Sequence, residues 1–157
     1  MYYIIKPFNA KILLTRCNNL IQNRLRQQET FKKQDSIDIQ LLANNELDQA
    51  FLKKVEGIID VNLSNQDFDI NTLAREMAMG RSSLFAKFKT LAGIGPNEFI
   101  LNYKLKKAAF MLRNNPNLQI NDVADEFGFS SARYFSRCFK LQFNISPNEY
   151  RKKENDN

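Results

Sequence analysis

Aromatic and basic side chains are interleaved in the stretch GFSSARYFSRCFK, residues 128–140. If this stretch is helical, its apolar side chains gather on one side: Tyr134, Phe135, Cys138 and Phe139. The opposite side then carries a serine and three bases at i, i+3, i+4 and i+7 spacing: Arg133, Ser136, Arg137 and Lys140. Such a helix packs through its aromatic side chains and presents its bases outward.

The outward bases have the chemistry of a nucleic-acid reader. A guanidinium group offers a fork of N–H donors that matches O6 and N7 of guanine, worth about 1–3 kcal/mol of discrimination per good contact. Arg133 and Arg137 are therefore candidates for base contacts, and Lys140 for a phosphate contact that positions the protein without reading sequence. The alternative is an ordinary helix of a soluble bundle, with aromatics inside and charges outside.

An earlier helix, predicted from about residue 81 to 91, shows the same division with weaker chemistry. Its buried side comprises Leu84, Phe88 and Leu91. Its free side follows Arg81 and comprises Ser82, Phe85, Ala86 and Lys89. Phe85 beside Ala86 suits apolar contact with thymine methyl groups, but a phenylalanine at such a position is more often partly buried in the core than a base reader. Ser82 and Ser131 also fit as capping groups of a first helical turn.

The two helices belong to two copies of one pattern. INTLAREMAMGRSSLFAKFKTLAGIGPNEFI aligns with INDVADEFGFSSARYFSRCFKLQFNISPNEYR, and each copy has an apolar helix, a tight turn, a second helix and a Pro-Asn-Glu exit. Ala74 and Ala124 supply the small inner contact that a helix-turn-helix unit needs. Gly128 supplies a turn residue for which positive φ is easy, whereas the first copy has Ala78 at that place.

These elements predict an all-α, homeodomain-like fold of two helix-turn-helix subdomains joined by a long linker helix. The first unit covers about 69–91, the linker helix about 96–112 and the second unit about 119–143, within a domain spanning 46–157. Asp69 is the expected N-cap of the first unit, and Pro96 the first residue of the linker helix. A helix over 46–63 precedes them, after a polar linker at 32–45 and an N-terminal strand and helix within 1–31.

Charge favours a polyanionic partner. The net charge is +6, acids outnumber bases over 46–76, and bases dominate over 81–113 and 133–153. Many basic stretches are nevertheless only solvated faces, which is the simplest interpretation of three lysines on the linker helix: Lys104, Lys106 and Lys107. Lys152 and Lys153 are interpreted as a basic tail.

Other function classes are poorly supported. The sequence has no histidine, and its two cysteines, Cys17 and Cys138, lack metal-ligand spacing and fit a reducing compartment. It contains no apolar run long enough to span a membrane, no secretory signal and no Gly-rich phosphate loop. We therefore expect no catalytic activity, cofactor, metal or small-molecule ligand. The competing hypothesis is a helical protein-interaction or dimerisation module with incidental basic charge, for which the outer faces offer only Phe85.

Residues 46–151 resemble the DNA-binding domain of the AraC/XylS family of bacterial transcription factors. The resemblance implies seven helices and two recognition helices that enter successive major-groove segments of double-stranded DNA. By position, it places base-facing residues in the first helix at Ser82, Phe85 and Ala86, and in the second at Ala132, Arg133, Ser136 and Arg137. Family members often have arginine at the position of Ala86 and a polar side chain at that of Phe85, so the first helix departs from the pattern.

The N-terminal stretch YYIIKPFNAKILLTRCNNLIQNR resembles the last strand and helix of a response-regulator receiver domain, with Lys6 and Pro7 at characteristic positions. A receiver end followed by this DNA-binding domain resembles the C-terminal end of hybrid two-component sensors, which often control glycan-utilisation genes. The resemblance implies a cytoplasmic transcription regulator, with the histidine kinase outside this chain in a parent protein anchored in the inner membrane. RNA polymerase and a second copy of the chain are the candidate protein partners.

Overall fold

The computed structural model describes residues 22, 25–26 and 39–156. From residue 39 onward it contains a short 3-10 turn, Ile39–Leu42, and seven α-helices. These are α1 (Glu46–Val61), α2 (Ile70–Glu76), α3 (Arg81–Ala92), α4 (Pro96–Asn114), α5 (Ile120–Glu126), α6 (Ala132–Phe143) and α7 (Pro147–Asn155). No strand occurs in this part of the chain, which confirms the all-α fold. The strand and helix predicted within 1–31 lie outside the described residues, apart from the few named positions.

Side-chain caps determine where the first helices begin. Asn45 accepts a hydrogen bond from the backbone N–H of Asp48 at 2.8 Å, at the start of α1. Asp69 accepts from the backbone N–H of Thr72 at 2.9 Å and from its hydroxyl at 3.0 Å, so the predicted N-cap of α2 is confirmed. These hydrogen bonds, the backbone one first, hold the pKa of Asp69 below its usual range.

The linker helix α4 begins at Pro96, as predicted, and ends at Asn114, two residues beyond the expected end. It packs against α3 of the first unit and against α5, α6 and α7 of the second. Its lysines do not form the solvated face expected from the sequence. Lys106 is fully buried, and burial lowers the pKa of half-buried Lys104. That expectation was wrong because neighbours surround α4 on several sides, and long aliphatic stems allow lysine to be buried along apolar surface.

A polar contact ties α1 to the linker helix. The hydroxyl of Tyr103 donates to Asp60 at 2.8 Å, and the ammonium group of Lys107 lies 2.8 Å from the same carboxylate. Burial and the Asp60 carboxylate raise the pKa of Tyr103, so the tyrosine stays a neutral donor. α1, although outside both repeat copies, is thereby fixed to the helix that joins them.

The apolar side chains form two cores, one for each unit. The first comprises side chains of α1 to α3 and the start of α4, including Leu73, Leu84, Phe88 and Phe99. The second comprises side chains of α4 to α7, including Phe135 and Phe139. Leu63, in the loop after α1, packs against both cores and so lies at the junction of the two units.

The two turns have the same backbone form despite their different residues. Ala78, between α2 and α3, has φ 55°, and Gly128, between α5 and α6, has φ 72°. In both turns, the next backbone N–H bonds back to the inner alanine: Met79 to the carbonyl of Ala74 at 3.0 Å, and Phe129 to that of Ala124 at 2.9 Å. The first turn, only weakly indicated by its sequence, is therefore equivalent to the second.

Candidate nucleic-acid interface

The second helix of the second unit, α6, is held by its aromatic side and by both of its ends. Phe135 and Phe139 are fully buried. The hydroxyl of Ser131 accepts from the backbone N–H of Tyr134 at 3.0 Å, which confirms the capping interpretation of Ser131. At the other end, Asn144 adopts φ 66° and its N–H bonds to the carbonyl of Lys140 at 2.8 Å. A helix fixed in this way presents its outer side chains in defined positions.

The outer side of α6 carries the predicted bases. Arg133, Arg137 and Lys140 are exposed, whereas Ala132 and Ser136 are half-buried at the flank. Leu141 is 78% exposed and extends this surface beyond Lys140. The sequence reasoning did not single out Leu141, although its position four residues after Arg137 places it on the same side of the helix.

Tyr134 does not belong to the buried side, where the sequence pattern placed it. Its side chain is 40% exposed, and its ring lies 6.0 Å from the ring of the buried Phe129. The guanidinium carbon of Arg137 lies 5.5 Å from the centroid of the Tyr134 ring. The helical pattern of the sequence misplaced Tyr134 because this residue lies at the edge of the apolar side, three residues before Arg137. A polar hydroxyl at that edge was the available signal that the ring would face outward.

The hydroxyl of Tyr134 also has a neighbour on its own helix. Its hydrogen bond with the thiol of Cys138 raises the pKa of Tyr134, while the charge of Arg137 opposes that shift. Since the pKa of Tyr134 is raised on balance, the phenol stays protonated at neutral pH, and Tyr134 offers a neutral hydroxyl and a π face to Arg137. It is the functional candidate that the sequence reasoning missed.

These side chains surround a hollow at the N-terminal end of α6. The hollow has a volume of about 260 Å³ and is lined by Ser131, Arg133, Tyr134 and Arg137. Two exposed arginine residues that line one hollow favour a ligand rich in hydrogen-bond acceptors, such as the edge of guanine or a phosphate. The positive end of the α6 dipole adds to that preference.

The matching helix of the first unit, α3, presents shorter side chains on its outer side than α6 does. Arg81, Ser82, Ala86 and Lys89 are exposed, as predicted. Phe85 is only half-exposed, because its ring packs against the first core and lies over Gly95, the residue before α4. Of the two interpretations of Phe85, partial burial is the one that the structure supports.

Lys87 anchors α3 to the first helix. Its ammonium group lies 2.8 Å from the Asp48 carboxylate, which is buried. Burial alone would raise the pKa of Asp48, but hydrogen bonds from Lys87 and from the backbone N–H of Asn44 hold it below its usual range. Lys87 therefore fixes α3 in place, and the outward charge of α3 rests on Arg81 and Lys89.

Two other kinds of site are absent from the described residues. In that part of the chain, no group of three His, Cys, Asp or Glu side chains is arranged to hold a metal ion. None of its helices combines the length and apolar character needed to cross a membrane.

Comparison with known proteins places this arrangement in a family. A family model described as a helix-turn-helix domain matches residues 73–153. Histidine kinase P4 of Formosa agariphila is 36% identical over 148 residues, which cover 94% of this chain and 11% of that protein. The chain thus spans about a tenth of that relative's length, and the alignment extends into the segment before Ile39.

Solved structures share the fold. A transcriptional regulator of Chromobacterium violaceum, described as containing an AraC-type DNA-binding domain, superposes with a TM-score of 0.63 at 25% identity, covering 70% of this chain and 96% of that chain. The C-terminal domain of AraT, a response regulator from Geobacillus stearothermophilus, gives a TM-score of 0.59 at 25% identity, covering 66% and 84%. This chain therefore belongs to the AraC-type helix-turn-helix family of non-enzymatic, DNA-binding transcription regulators.

Proposed function

We propose that α6 reads bases in the major groove through Arg133 and Arg137. The observation that supports this proposal is that Arg133 and Arg137 are both exposed and both line one hollow at the N-terminal end of the helix. Guanine presents two acceptors, O6 and N7, to such donors in the major groove. The Tyr134 ring packs against the guanidinium group of Arg137, and Ser136 and Ala132 lie at the flank of the same contact surface.

The first helix contributes contacts of a different kind. Ser82 and Ala86 place only short side chains on the outer side of α3, so that the helix backbone approaches the groove closely and bases are contacted through these side chains. Phe85 shapes this surface from its half-buried position, and Arg81 extends it at the helix start. Lys89 of α3 and Lys140 of α6 occupy equivalent exposed positions and contact phosphates at two segments of the DNA.

The signalling role proposed for the chain is that of an output domain. The alignment with histidine kinase P4 and the likeness to the C-terminal domain of a response regulator support an origin in a two-component protein, most simply a hybrid sensor. In this scheme residues 1–31 are the end of a receiver domain and residues 32–45 the linker. The regulator acts in the cytoplasm, from a parent protein anchored in the inner membrane, on glycan-utilisation genes. RNA polymerase or a second copy of the chain is its protein partner.

Selection of bound sequences from random duplex DNA at two salt concentrations tests the reading of DNA. We expect an enriched motif, because a fixed helix with two arginine forks discriminates among base pairs. Absence of any enriched motif would contradict specific regulation by this domain.

Arginine and lysine variants on α6 then separate base contacts from phosphate contacts. Arg137→Ala should lower affinity for the selected duplex by about 5- to 150-fold, corresponding to about 1–3 kcal/mol, with a smaller loss on random duplex. Lys140→Ala is the matched control and should weaken both by similar factors. Equal losses for Arg137→Ala on both duplexes would assign Arg137 to the DNA backbone.

The interaction-module alternative needs a continuous apolar outer face. The most exposed large apolar side chains among the described residues are Leu47, Val61 and Leu141. Leu47 and Val61 lie at opposite ends of α1, about 20 Å apart along a helix of this length, and Leu141 lies on α6. Singly exposed apolar side chains are ordinary on soluble proteins, so this observation does not favour the alternative.

A further inference from the structure

The second turn lies unusually close to the loop that follows α1. A Cβ atom on Gly128 would lie 2.8 Å from the carbonyl oxygen of Leu63 and 3.3 Å from the carbonyl carbon of Ser64. Side chains do not tolerate a backbone contact of 2.8 Å, so the approach requires a glycine. The loop belongs to the first unit's side of the molecule, and Gly128 to the second, so this contact joins the two units.

The first turn provides an internal comparison. Ala78 has φ 55° and the same hydrogen-bond pattern as Gly128, yet it carries a Cβ atom and is exposed. The turn itself therefore accepts alanine in this left-handed conformation. What distinguishes the second turn is the approach of the Leu63 carbonyl, so the inter-unit contact, more than the turn conformation, accounts for glycine at position 128.

The loop on the other side of the contact is held by its own hydrogen bonds. Asn62 donates from its side chain to the carbonyl of Ile58 at 2.8 Å and accepts at its backbone carbonyl from the N–H of Asn65 at 3.0 Å. Asn65 in turn accepts from the backbone N–H of Asp67 at 3.0 Å. A loop constrained in this way limits movement of the turn that packs against it.

The turn transmits its position directly to α6. Only three residues separate Gly128 from α6, and Ser131 caps the helix at its start. Phe129, the residue after the glycine, is buried and contacts the ring of Tyr134. A shift of the turn away from Leu63 therefore changes the direction of α6 and the position of its reading side chains.

We propose that Gly128 is a positioning residue for DNA recognition: by lacking a Cβ atom, it lets the second turn pack on the Leu63 carbonyl and so fixes α6 relative to α3. The inference rests on the proposed reading of DNA by both helices. Two linked readers gain affinity from acting together only when their geometry matches the spacing of their two DNA segments. Fixed orientation of the helices thus determines which spacing the domain selects.

The test compares Gly128→Ala with Ala78→Gly, the reciprocal change in the equivalent turn. Each protein is titrated against the selected duplex and against two duplexes in which the segment read by α3 or by α6 is scrambled. We call the duplex in which only the α3 segment is scrambled the α6-segment duplex. For Gly128→Ala, the ratio of affinity for the full site to affinity for the α6-segment duplex should fall about tenfold, while affinity for the α6-segment duplex itself stays unchanged. Ala78→Gly should retain the wild-type advantage, because no inter-unit contact changes.

A series of duplexes with one base pair added or removed between the segments provides a second readout. Wild type should prefer one spacing, and Gly128→Ala should lose or shift that preference. Urea unfolding checks that the variant is folded. If it is not, Asn62→Ala carries the test, because it loosens the loop without touching the second unit and should lower the advantage of the full site in the same way.

The outcomes that contradict the inference are distinct. If Gly128→Ala keeps both the full-site advantage and the spacing preference, the contact does not position α6. If it loses affinity for the α6-segment duplex as well, its role is only to fold the second unit. If wild type itself binds the full site no better than a single segment, the proposed reading by two helices fails, and the inference fails with it.

Discussion

Replacing Tyr134 by leucine should weaken binding to the specific DNA site while leaving binding to random duplex unchanged. The guanidinium carbon of Arg137 lies 5.5 Å from the centroid of the Tyr134 ring, and that ring contacts the buried Phe129 at 6.0 Å. Leucine retains apolar bulk but has no π face, so Arg137 loses its electrostatic support and samples more rotamers. Since a phosphate contact needs less exact placement than a base contact, the loss should fall on specific binding.

The size of the effect follows from the exposure of the contact. A cation–π interaction at an exposed site is worth about 0.5–1 kcal/mol, which corresponds to about a two- to fivefold loss of affinity. Tyr134→Phe is the matched control, because it keeps the π face and removes only the hydroxyl that bonds to Cys138. Its affinity for the specific site should stay within about twofold of wild type.

A double-mutant cycle assigns the effect to the pair. Affinities of wild type, Tyr134→Leu, Arg137→Ala and the double variant are measured by fluorescence anisotropy on the selected duplex. In the background of Arg137→Ala, the leucine substitution should cost nothing further, because the guanidinium group that it supported is gone. The reasoning is refuted if the two losses add, or if Tyr134→Phe loses as much as Tyr134→Leu, since the hydroxyl would then be the contacting group.

Three further outcomes follow from the charges and hydrogen bonds. Tyr103→Phe should lower the free energy of unfolding by about 1–2 kcal/mol in urea titrations, because the donor to Asp60 is lost and the buried ring is kept; unchanged stability would show that the contact contributes nothing. Because Asp48 has a lowered pKa, its ion pair with Lys87 stabilises fully above the unfolded-state pKa of about 3.9 and is lost as pH falls through the folded-state value. The stability difference between wild type and Asp48→Asn should therefore stay constant from about pH 7 to about pH 5 and shrink as the pH falls below about 4, and a difference that stays constant there would exclude the ion pair as its source. Lys140→Ala should reduce the slope of log affinity against log salt by about 1, and an unchanged slope would place Lys140 away from phosphate.

The helices were predictable because their signals are local. The 3.6-residue period of apolar side chains, the Asp69 cap and the proline at position 96 all act within a few residues of chain, and each was confirmed. The repeat added a non-local check, since the same pattern at two places indicated the same unit twice. The buried sides of α3 and α6, built on Phe88 and Phe139, followed from that period directly.

What the sequence did not predict depends on the packing of one unit against the other. Lys106 was assigned to a solvated face together with Lys104 and Lys107, but it is buried because α4 lies between elements of both units. Gly128 was explained by its φ angle alone, whereas the Leu63 carbonyl, more than sixty residues earlier, imposes the tighter requirement. The periodicity of a single helix or turn contains no information on such neighbours from the other unit.

The two units are alike in backbone and unlike in surface, and the difference assigns them different parts in the proposed complex. On α3, Lys87 is held by Asp48 and Phe85 is half-buried, which leaves short side chains outward. Short side chains discriminate mainly by the shape and methyl groups of the groove, and only at close approach. α6 carries long arginine side chains, which reach acceptors over a greater distance. α6 can therefore contact its bases even when the domain is docked less exactly. Correct placement of α3 in its groove therefore depends on the rigid junction with α6. For this reason, loss of the contact between Gly128 and the Leu63 carbonyl should weaken DNA contacts of α3 more than those of α6.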